Sequence, residues 1–116
     1  MSKVTIYHNP RCSKSRQTLS LLEENGIDPE IVLYLEHPPS AAKLRELIKM
    51  LGISPRDLLR KGEDEFKAMN LGDKDLSDRA IIEAMVKAPK LIERPIVVKG
   101  KKAVLGRPPE NVLSLV

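Results

Sequence analysis

The chain has 116 residues, 41% of them hydrophobic, which is enough for one domain with a buried core and too few for two. Its formal net charge of +4 fits an anionic ligand, although acidic residues are spread through most of the basic segments. Aromatic residues make up only 3%, which argues against nucleic-acid binding because bases stack on aromatic side chains. One cysteine cannot form an internal disulfide, and with two histidines it shows no metal-ligand spacing.

No apolar run approaches the length of a membrane span. The N-terminal segment, residues 1–7, leads directly into a strand pattern, and its apolar part is too short for a signal peptide. We therefore expect a soluble, cytoplasmic protein that binds neither membranes nor nucleic acid. A monomer is the default expectation at this size, and we expect residues 1–116 to form a single domain.

The first third of the chain predicts a β-strand, an α-helix and a second strand. These are VTIY (residues 4–7), SRQTLSLLEENG (15–26) and EIVLYL (30–35). The third segment is almost continuously apolar, which is typical of a strand buried on both faces of a parallel sheet. The helix is expected to face the core with Leu19, Leu21 and Leu22.

A helical block follows the second predicted strand. Ser40 is a predicted N-cap of a helix that Gly52 ends, and Ser54 with Asp57 predicts a capping box at the start of another. Residues 64–70 predict a short helix, and Ser77 is expected to cap a further one.

The last third predicts a β-hairpin and a closing helix. PIVV (95–98) and AVL (103–105) flank the turn sequence KGKK, and PPENVLSLV (108–116) predicts a helix entered through proline. The element order is therefore βαβ, a helical insertion between the second and third strands, then ββα.

The stretch YHNPRCSKSR (7–16) places the single cysteine at the junction between the first strand and the first helix. The N-terminus of a helix presents unpaired N–H groups and a partial positive charge. Together with Arg11, Lys14 and Arg16, these groups are expected to lower the pKa of Cys12 and make it a nucleophilic thiolate. A buried, inert cysteine is the alternative, which the polar flanks disfavour. His8 either affects the protonation of the Cys12 sulfur or simply lies at the end of the strand.

Three arginines are candidates for binding an anion at this thiolate. Arg60 lies near the end of a predicted helix, Arg94 precedes a predicted strand and Arg107 follows one. The residues alone favour simpler roles, namely a cation at a helix C-terminus for Arg60 and solvated loop positions for the other two. The Arg94–Pro95 bond is trans by default, since most X–Pro bonds are.

The segments TIYHNPRCSKSRQTL, LLRK, LIERPIVV and GRPPE together resemble the ArsC-type arsenate reductases, the class coupled to glutathione and glutaredoxin. The resemblance runs from about Val4 to Val112, with the motifs in the family's order and spacing. It implies an α/β, thioredoxin-like fold with a helical insertion. HNPRCSKSR is similar to a less characterised branch of the family.

The resemblance also implies residue roles. Cys12 is then the nucleophile, His8 helps to lower its pKa, and Arg60, Arg94 and Arg107 gather around the oxyanion. Supporting positions are Arg11, Ser13, Ser15, Arg16 and a cis Pro95.

The activity that the resemblance implies is reduction of arsenate to arsenite, as in arsenic resistance, through a covalent Cys12 adduct. No bound cofactor is expected, glutathione is the implied co-substrate, and glutaredoxin is the implied partner. Ser13 and Lys14 depart from the small residues that well-attested reductases carry after the nucleophile, and this leaves two alternatives open. One is an ArsC-like oxidoreductase with another substrate, and the other is a non-catalytic binding module like the Spx-type regulators.

Overall fold

The computed structural model describes residues 3–116. Met1 and Ser2, which belong to the segment used above to argue against a signal peptide, lie outside the described residues. Among residues 3–116, no helix combines the length and apolar character needed to cross a bilayer.

The centre of the fold is a four-stranded mixed sheet in the order β2-β1-β3-β4. Strand β1 (Val4–Tyr7) pairs in parallel with β2 (Glu30–Val32) and antiparallel with β3 (Ile96–Lys99). Strand β4 (Lys102–Leu105) completes the predicted hairpin with β3. Helix α1 (Ser13–Glu24) connects the two parallel strands, so the predicted βαβ unit and ββ hairpin are confirmed.

The core of this sheet unit lies between the sheet, α1 and the C-terminal segment. Its buried members come from β1, α1, β3 and the segment Pro109–Leu115, which forms a 3₁₀ helix where a helix was predicted. They are Val4, Ile6, Leu22, Val97, Val112 and Leu115. Leu19 and Leu21 are partly buried against this cluster, as their helical spacing predicted.

The prediction for the second strand was wrong in length and in burial. Only Glu30–Val32 form a strand, and the sheet order makes it an edge strand, so Ile31 is 47% exposed instead of buried on both faces. The chain then turns, because the N–H groups of Glu36 and His37 both donate to the carbonyl of Leu33. Apolar composition alone does not distinguish a buried strand from an edge strand followed by a turn.

The segment between β2 and β3 is a helical unit with the predicted helices α2 (Ala41–Leu51), α3 (Asp64–Ala68) and α4 (Asp78–Lys87). Two 3₁₀ helices, Pro55–Leu58 and Pro89–Leu91, connect them. The first of these was predicted as a longer helix. Burial inside the unit comes from Leu44, Leu47, Ile48, Leu58, Ile81, Ile82 and Met85.

The predicted caps of this unit are present. The Ser40 hydroxyl accepts the Lys43 N–H at 3.1 Å, and the Ser77 hydroxyl accepts the Ala80 N–H at 3.1 Å. Gly52 ends α2 with φ +70°, a left-handed conformation that glycine adopts without strain. The Ser54 N–H donates to the Asp57 carboxylate at 3.1 Å, as the capping-box prediction required.

By its internal contacts the chain divides into two compact units. The sheet unit comprises the chain up to His37 together with Arg94–Val116, and the helical unit comprises Pro38–Glu93. The helical unit is therefore the predicted insertion between the second and third strands. That the chain forms one domain stays a prediction.

Replacing Ser40 with alanine is expected to lower the free energy of unfolding by about 1 kcal/mol, because the Lys43 N–H loses its cap. Urea denaturation followed by circular dichroism measures the change. The control is Ser20→Ala, at an exposed position within α1, where alanine favours the helix. Equal loss of stability in both variants would contradict the capping role.

Candidate functional site

The single cysteine caps the N-terminus of α1. The helix begins at Ser13, two residues before the predicted start, so Cys12 is the N-cap residue, with φ −95° and ψ 122°. The Cys12 N–H donates to the carbonyl of Asn9 at 3.0 Å, which closes the loop between β1 and α1. The Cys12 side chain makes no capping hydrogen bond, but it lies close enough to the backbone N–H groups of Ser15 and Lys14 for them to lower its pKa.

The surroundings of Cys12 have opposing effects on its pKa. Partial burial raises the pKa, whereas the N–H of Ser15, the hydrogen bond and charge of Arg94, and the N–H of Lys14 lower it. The net effect is a pKa below the ordinary value of a thiol. The site therefore favours the thiolate, which is the nucleophilic form of cysteine.

Two of the three predicted arginines lie at this sulfur. Nη1 of Arg107 is 3.9 Å from Cys12 Sγ and 3.3 Å from the carbonyl oxygen of Arg94. The Arg94 guanidinium also acts on the sulfur and lowers its pKa. A thiolate between two guanidiniums and two backbone N–H groups can attack a bound oxyanion, because the same donors also stabilise negative charge on oxygen.

The arginines are held in place by a contact that sequence reasoning missed. The Thr18 hydroxyl, fully buried in α1, donates to the carbonyl of Lys14 at 2.8 Å and lies 3.3 Å from the carbonyl of Gly106. The Gly106 N–H in turn donates to the carbonyl of Pro95 at 2.9 Å. A Cβ at Gly106 would lie 2.5 Å from Thr18 Oγ1 and 2.8 Å from Pro95 Cγ, so only glycine fits.

This contact joins three segments of the site: the first turn of α1, the residue after Arg94 and the residue before Arg107. The Arg94–Pro95 bond is cis, as the resemblance implied, and Arg107–Pro108 is also cis, which was not predicted. A sequence signal for Thr18 did exist. Ser15, Thr18 and Leu22 share one helix face at spacings of three and four, and all three are buried.

His8 is linked to the sulfur through Ser15. Its Nδ1 lies 2.6 Å from the Ser15 hydroxyl, and that hydroxyl accepts the Asn9 N–H at 3.0 Å. Burial, and secondly the charge of Arg16, lower the pKa of His8, so its ring is neutral at neutral pH. A neutral ring lets Ser15 donate to Nδ1, which fixes the position of Ser15 and hence of its backbone N–H group beside Cys12. A direct role for His8 in ionising Cys12 stays a prediction.

The remaining residues predicted to support the site lie around the loop. Arg16 Nη1 donates to the carbonyl of Pro10 at 3.0 Å, and the Arg11 N–H donates to Asn9 Oδ1 at 3.0 Å. These two hydrogen bonds stabilise the conformation of the loop formed by residues 9–12. The side chains of Arg11, Ser13 and Lys14 are exposed.

Arg60 lies in the helical unit, where two carboxylates engage its guanidinium. Its Nη1 is 2.8 Å from Glu93 Oε1, and its Nε is 3.3 Å from Glu63 Oε1. The Arg60 N–H donates to the carbonyl of Leu91 at 2.8 Å, beside the bridge that pairs Leu59 with Ile92. Its role in oxyanion binding stays a prediction. Across residues 3–116, no group of three or more His, Cys, Asp or Glu side chains is placed to hold a metal ion.

Comparison with known proteins identifies the family. The family model described as "ArsC family" matches residues 7–115. The chain belongs to the ArsC family. It is 62% identical over 115 residues to the uncharacterised protein YfgD of Escherichia coli K12, covering 98% of this chain and 97% of YfgD. It is 49% identical to an arsenate reductase of Haemophilus influenzae, covering 97% of each.

A solved ArsC structure, an arsenate reductase from Vibrio cholerae, superposes with a TM-score of 0.96 at 52% identity. The superposition covers 99% of this chain and 98% of that chain. The thioredoxin-like α/β fold with its helical insertion is thereby confirmed.

The alkylation rate of Cys12 by iodoacetamide is expected to inflect with pH below the ordinary thiol value, because the reagent consumes the thiolate. Saturating sulfate should move the inflection upward, since a bound anion disfavours a second negative charge beside it. The variant Arg107→Gln should also move it upward, whereas Arg45→Gln, at an exposed position on α2, should not. An alkaline inflection that neither sulfate nor Arg107→Gln moves would contradict this electrostatic account.

The variant Gly106→Ala is expected to destabilise the protein by about 1–3 kcal/mol, because the added methyl group overlaps Thr18 and Pro95. The added methyl group should also displace Arg107, the next residue, and thereby raise the pKa of Cys12. Urea denaturation and iodoacetamide kinetics measure the two effects. The control is Gly62→Ala, where the added carbon meets open space. The positioning role is wrong if Gly106→Ala leaves both quantities at the wild-type values.

Proposed function

We propose that this protein is an arsenate reductase in which Cys12 is the nucleophile and external thiols, glutathione and glutaredoxin, supply the electrons. The observation that carries the proposal is the sulfur of Cys12 at the N-terminus of α1, where the Ser15 and Lys14 N–H groups lower its pKa and the Arg94 and Arg107 guanidiniums lie beside it. Membership of the ArsC family and relatives named arsenate reductases support the choice of substrate.

Arsenate suits the donors around the sulfur. It is a tetrahedral oxyanion, and each planar guanidinium can give two parallel N–H bonds to a pair of its oxygens. The N–H groups at the start of α1 add donors that need no reorganisation during the reaction. Arg60 remains a predicted third arginine.

The chemistry needs two electrons per arsenate. The Cys12 thiolate forms an S–As bond to As(V), and one arsenate oxygen leaves as water after protonation. Glutathione then forms a second S–As bond, and a further arsenate oxygen leaves as water. A glutaredoxin thiolate attacks the glutathione sulfur, the electron pair of that S–As bond passes to arsenic, and As(III) results with one mixed disulfide. Water releases arsenite, and Cys12 returns as a thiol.

The lone cysteine fits this scheme because both sulfurs of the disulfide come from outside the chain. An enzyme that resolved its own adduct would need a second cysteine. Glutathione is accordingly a co-substrate in the proposal and glutaredoxin a protein partner. A cytoplasmic location and a monomeric state stay predictions.

The variant Cys12→Ser is expected to abolish arsenate-dependent NADPH oxidation, measured with glutathione, glutaredoxin and glutathione reductase. Arg94→Lys and Arg107→Lys should each lower kcat/KM for arsenate by about 100-fold, because lysine keeps the charge but loses the planar fork. Arg60→Lys tests the predicted third arginine in the same assay.

The matched control for the arginine variants is Arg45→Lys, at an exposed position on α2, which should leave kcat/KM unchanged. Turnover that survives Cys12→Ser would remove the cysteine from the mechanism. If the wild type turns over thiol-linked substrates but never arsenate, the protein is an ArsC-like oxidoreductase with another substrate. If it turns over neither and is captured with RNA polymerase, the Spx-like alternative is correct.

A further inference from the structure

A pocket of about 310 Å³ lies beside the nucleophile loop, on the β2 side. Residues 8–11, which follow β1, form one wall, and Leu33, Leu35 and Glu36 form the other. The pocket sits where the carboxyl ends of the parallel strands β1 and β2 meet, because the His8 N–H extends their pairing to the carbonyl of Val32 at 2.9 Å. Ligands of open α/β sheets bind at this edge.

Both walls of the pocket are fixed by backbone hydrogen bonds. Asn9 Oδ1 accepts the Arg11 N–H, and the carbonyl of Leu33 accepts the N–H groups of Glu36 and His37. The pocket is therefore largely formed before any ligand arrives, which is the usual condition of small-molecule sites.

The lining combines an apolar surface with two uncommitted charges of opposite sign. Leu35 is 39% exposed, although it is a large hydrophobic side chain. Arg11 and Glu36 are exposed, and within residues 3–116 neither forms an ion pair. Opposite charges beside an exposed leucine complement a small zwitterionic ligand.

A second hollow near Cys12 fits such a ligand less well. It is a more open groove of about 580 Å³ along α1, and its lining includes Glu24 and Glu110. Its one cation, Arg16, already donates to the carbonyl of Pro10. Two carboxylates repel a ligand that carries carboxylates of its own.

We propose that the pocket between Pro10–Arg11 and Leu33–Glu36 is the binding site for glutathione. This inference rests on the proposed function for its ligand, since a chain with one cysteine needs an external thiol. Glutathione carries two carboxylates and one ammonium group around a short peptide. Arg11 pairs with a carboxylate, Glu36 pairs with the ammonium group, and Leu35 packs against the peptide. Arg11 directly precedes Cys12, so a ligand held there lies next to the nucleophile loop.

The first experiment measures binding without chemistry. Titration of the wild type with S-methylglutathione, which has no free thiol, is followed by ¹⁵N NMR. Saturable shifts should concentrate at residues 8–11 and 33–36. Shifts confined to α1 and Pro109–Glu110, or no saturable shifts, would overturn the proposal. The result does not depend on arsenate turnover.

The second experiment compares variants and thiols. Arg11→Gln and Glu36→Gln should each weaken S-methylglutathione binding and raise the KM for glutathione about two- to fivefold, the effect of losing one exposed ion pair. The KM for arsenate should not change in Glu36→Gln. With the uncharged thiol 2-mercaptoethanol as reductant, Glu36→Gln should behave as the wild type.

Matched controls are Arg45→Gln on α2 and Glu23→Gln on α1, which change net charge equally at exposed positions away from the pocket. If controls and pocket variants shift the glutathione KM alike, the effect is one of overall charge and the proposal is wrong. Failure of the proposed function looks different, because the wild type would then reduce no arsenate with any thiol while S-methylglutathione still bound.

Discussion

The electrostatic effect of the α1 N-terminus and of Arg94 on one sulfur is the interaction on which the site depends. Helices α2 and α4 are capped by the hydroxyls of Ser40 and Ser77, but α1 has Cys12 at that position. The first turn of α1 holds no acidic residue and carries Lys14 instead, so its positive end lacks the usual compensation. A thiolate, or an oxyanion bound in front of it, supplies the missing negative charge. Helix stability and sulfur ionisation are therefore coupled.

The β3–β4 hairpin explains why two arginines far apart in sequence reach the same sulfur. Ile96 pairs with Leu105, so the residue before β3 and the residue after β4 emerge side by side. Arg94 and Arg107 each lie two residues from that pair. The Gly106 N–H bond to Pro95 extends the pairing, and Thr18 of α1 packs against both. The antiparallel register of β3 and β4 therefore brings the two guanidiniums together. The buried Thr18 hydroxyl links this end of the hairpin to α1, the helix that follows Cys12.

The sequence predicted features governed by local rules and missed those governed by long-range packing. Caps at Ser40 and Ser77, the stop at Gly52 and the position of Cys12 follow from short-range spacing and were confirmed. The edge position of β2 depends on the sheet order, which the apolar run 30–35 does not encode. Thr18 and Gly106 are 88 residues apart, so only the folded chain shows their contact. The residue pattern alone favoured loop roles for Arg94 and Arg107, and only the family resemblance predicted that they lie together, as the hairpin register places them.

In the proposed mechanism the electrons come from outside the chain, and a rigid, accessible sulfur suits that mechanism better than a mobile one. Arg16 and Asn9 hold the loop through Pro10 and Arg11, so residues 9–12 need not rearrange between reaction steps. Cys12 remains half-buried, with exposed Arg11, Ser13 and Lys14 around it, so an incoming thiol has access. A chain that resolved its own adduct would need a segment able to move a second cysteine toward the first. The proposed mechanism needs no such flexibility, since its resolving sulfur diffuses to a fixed target.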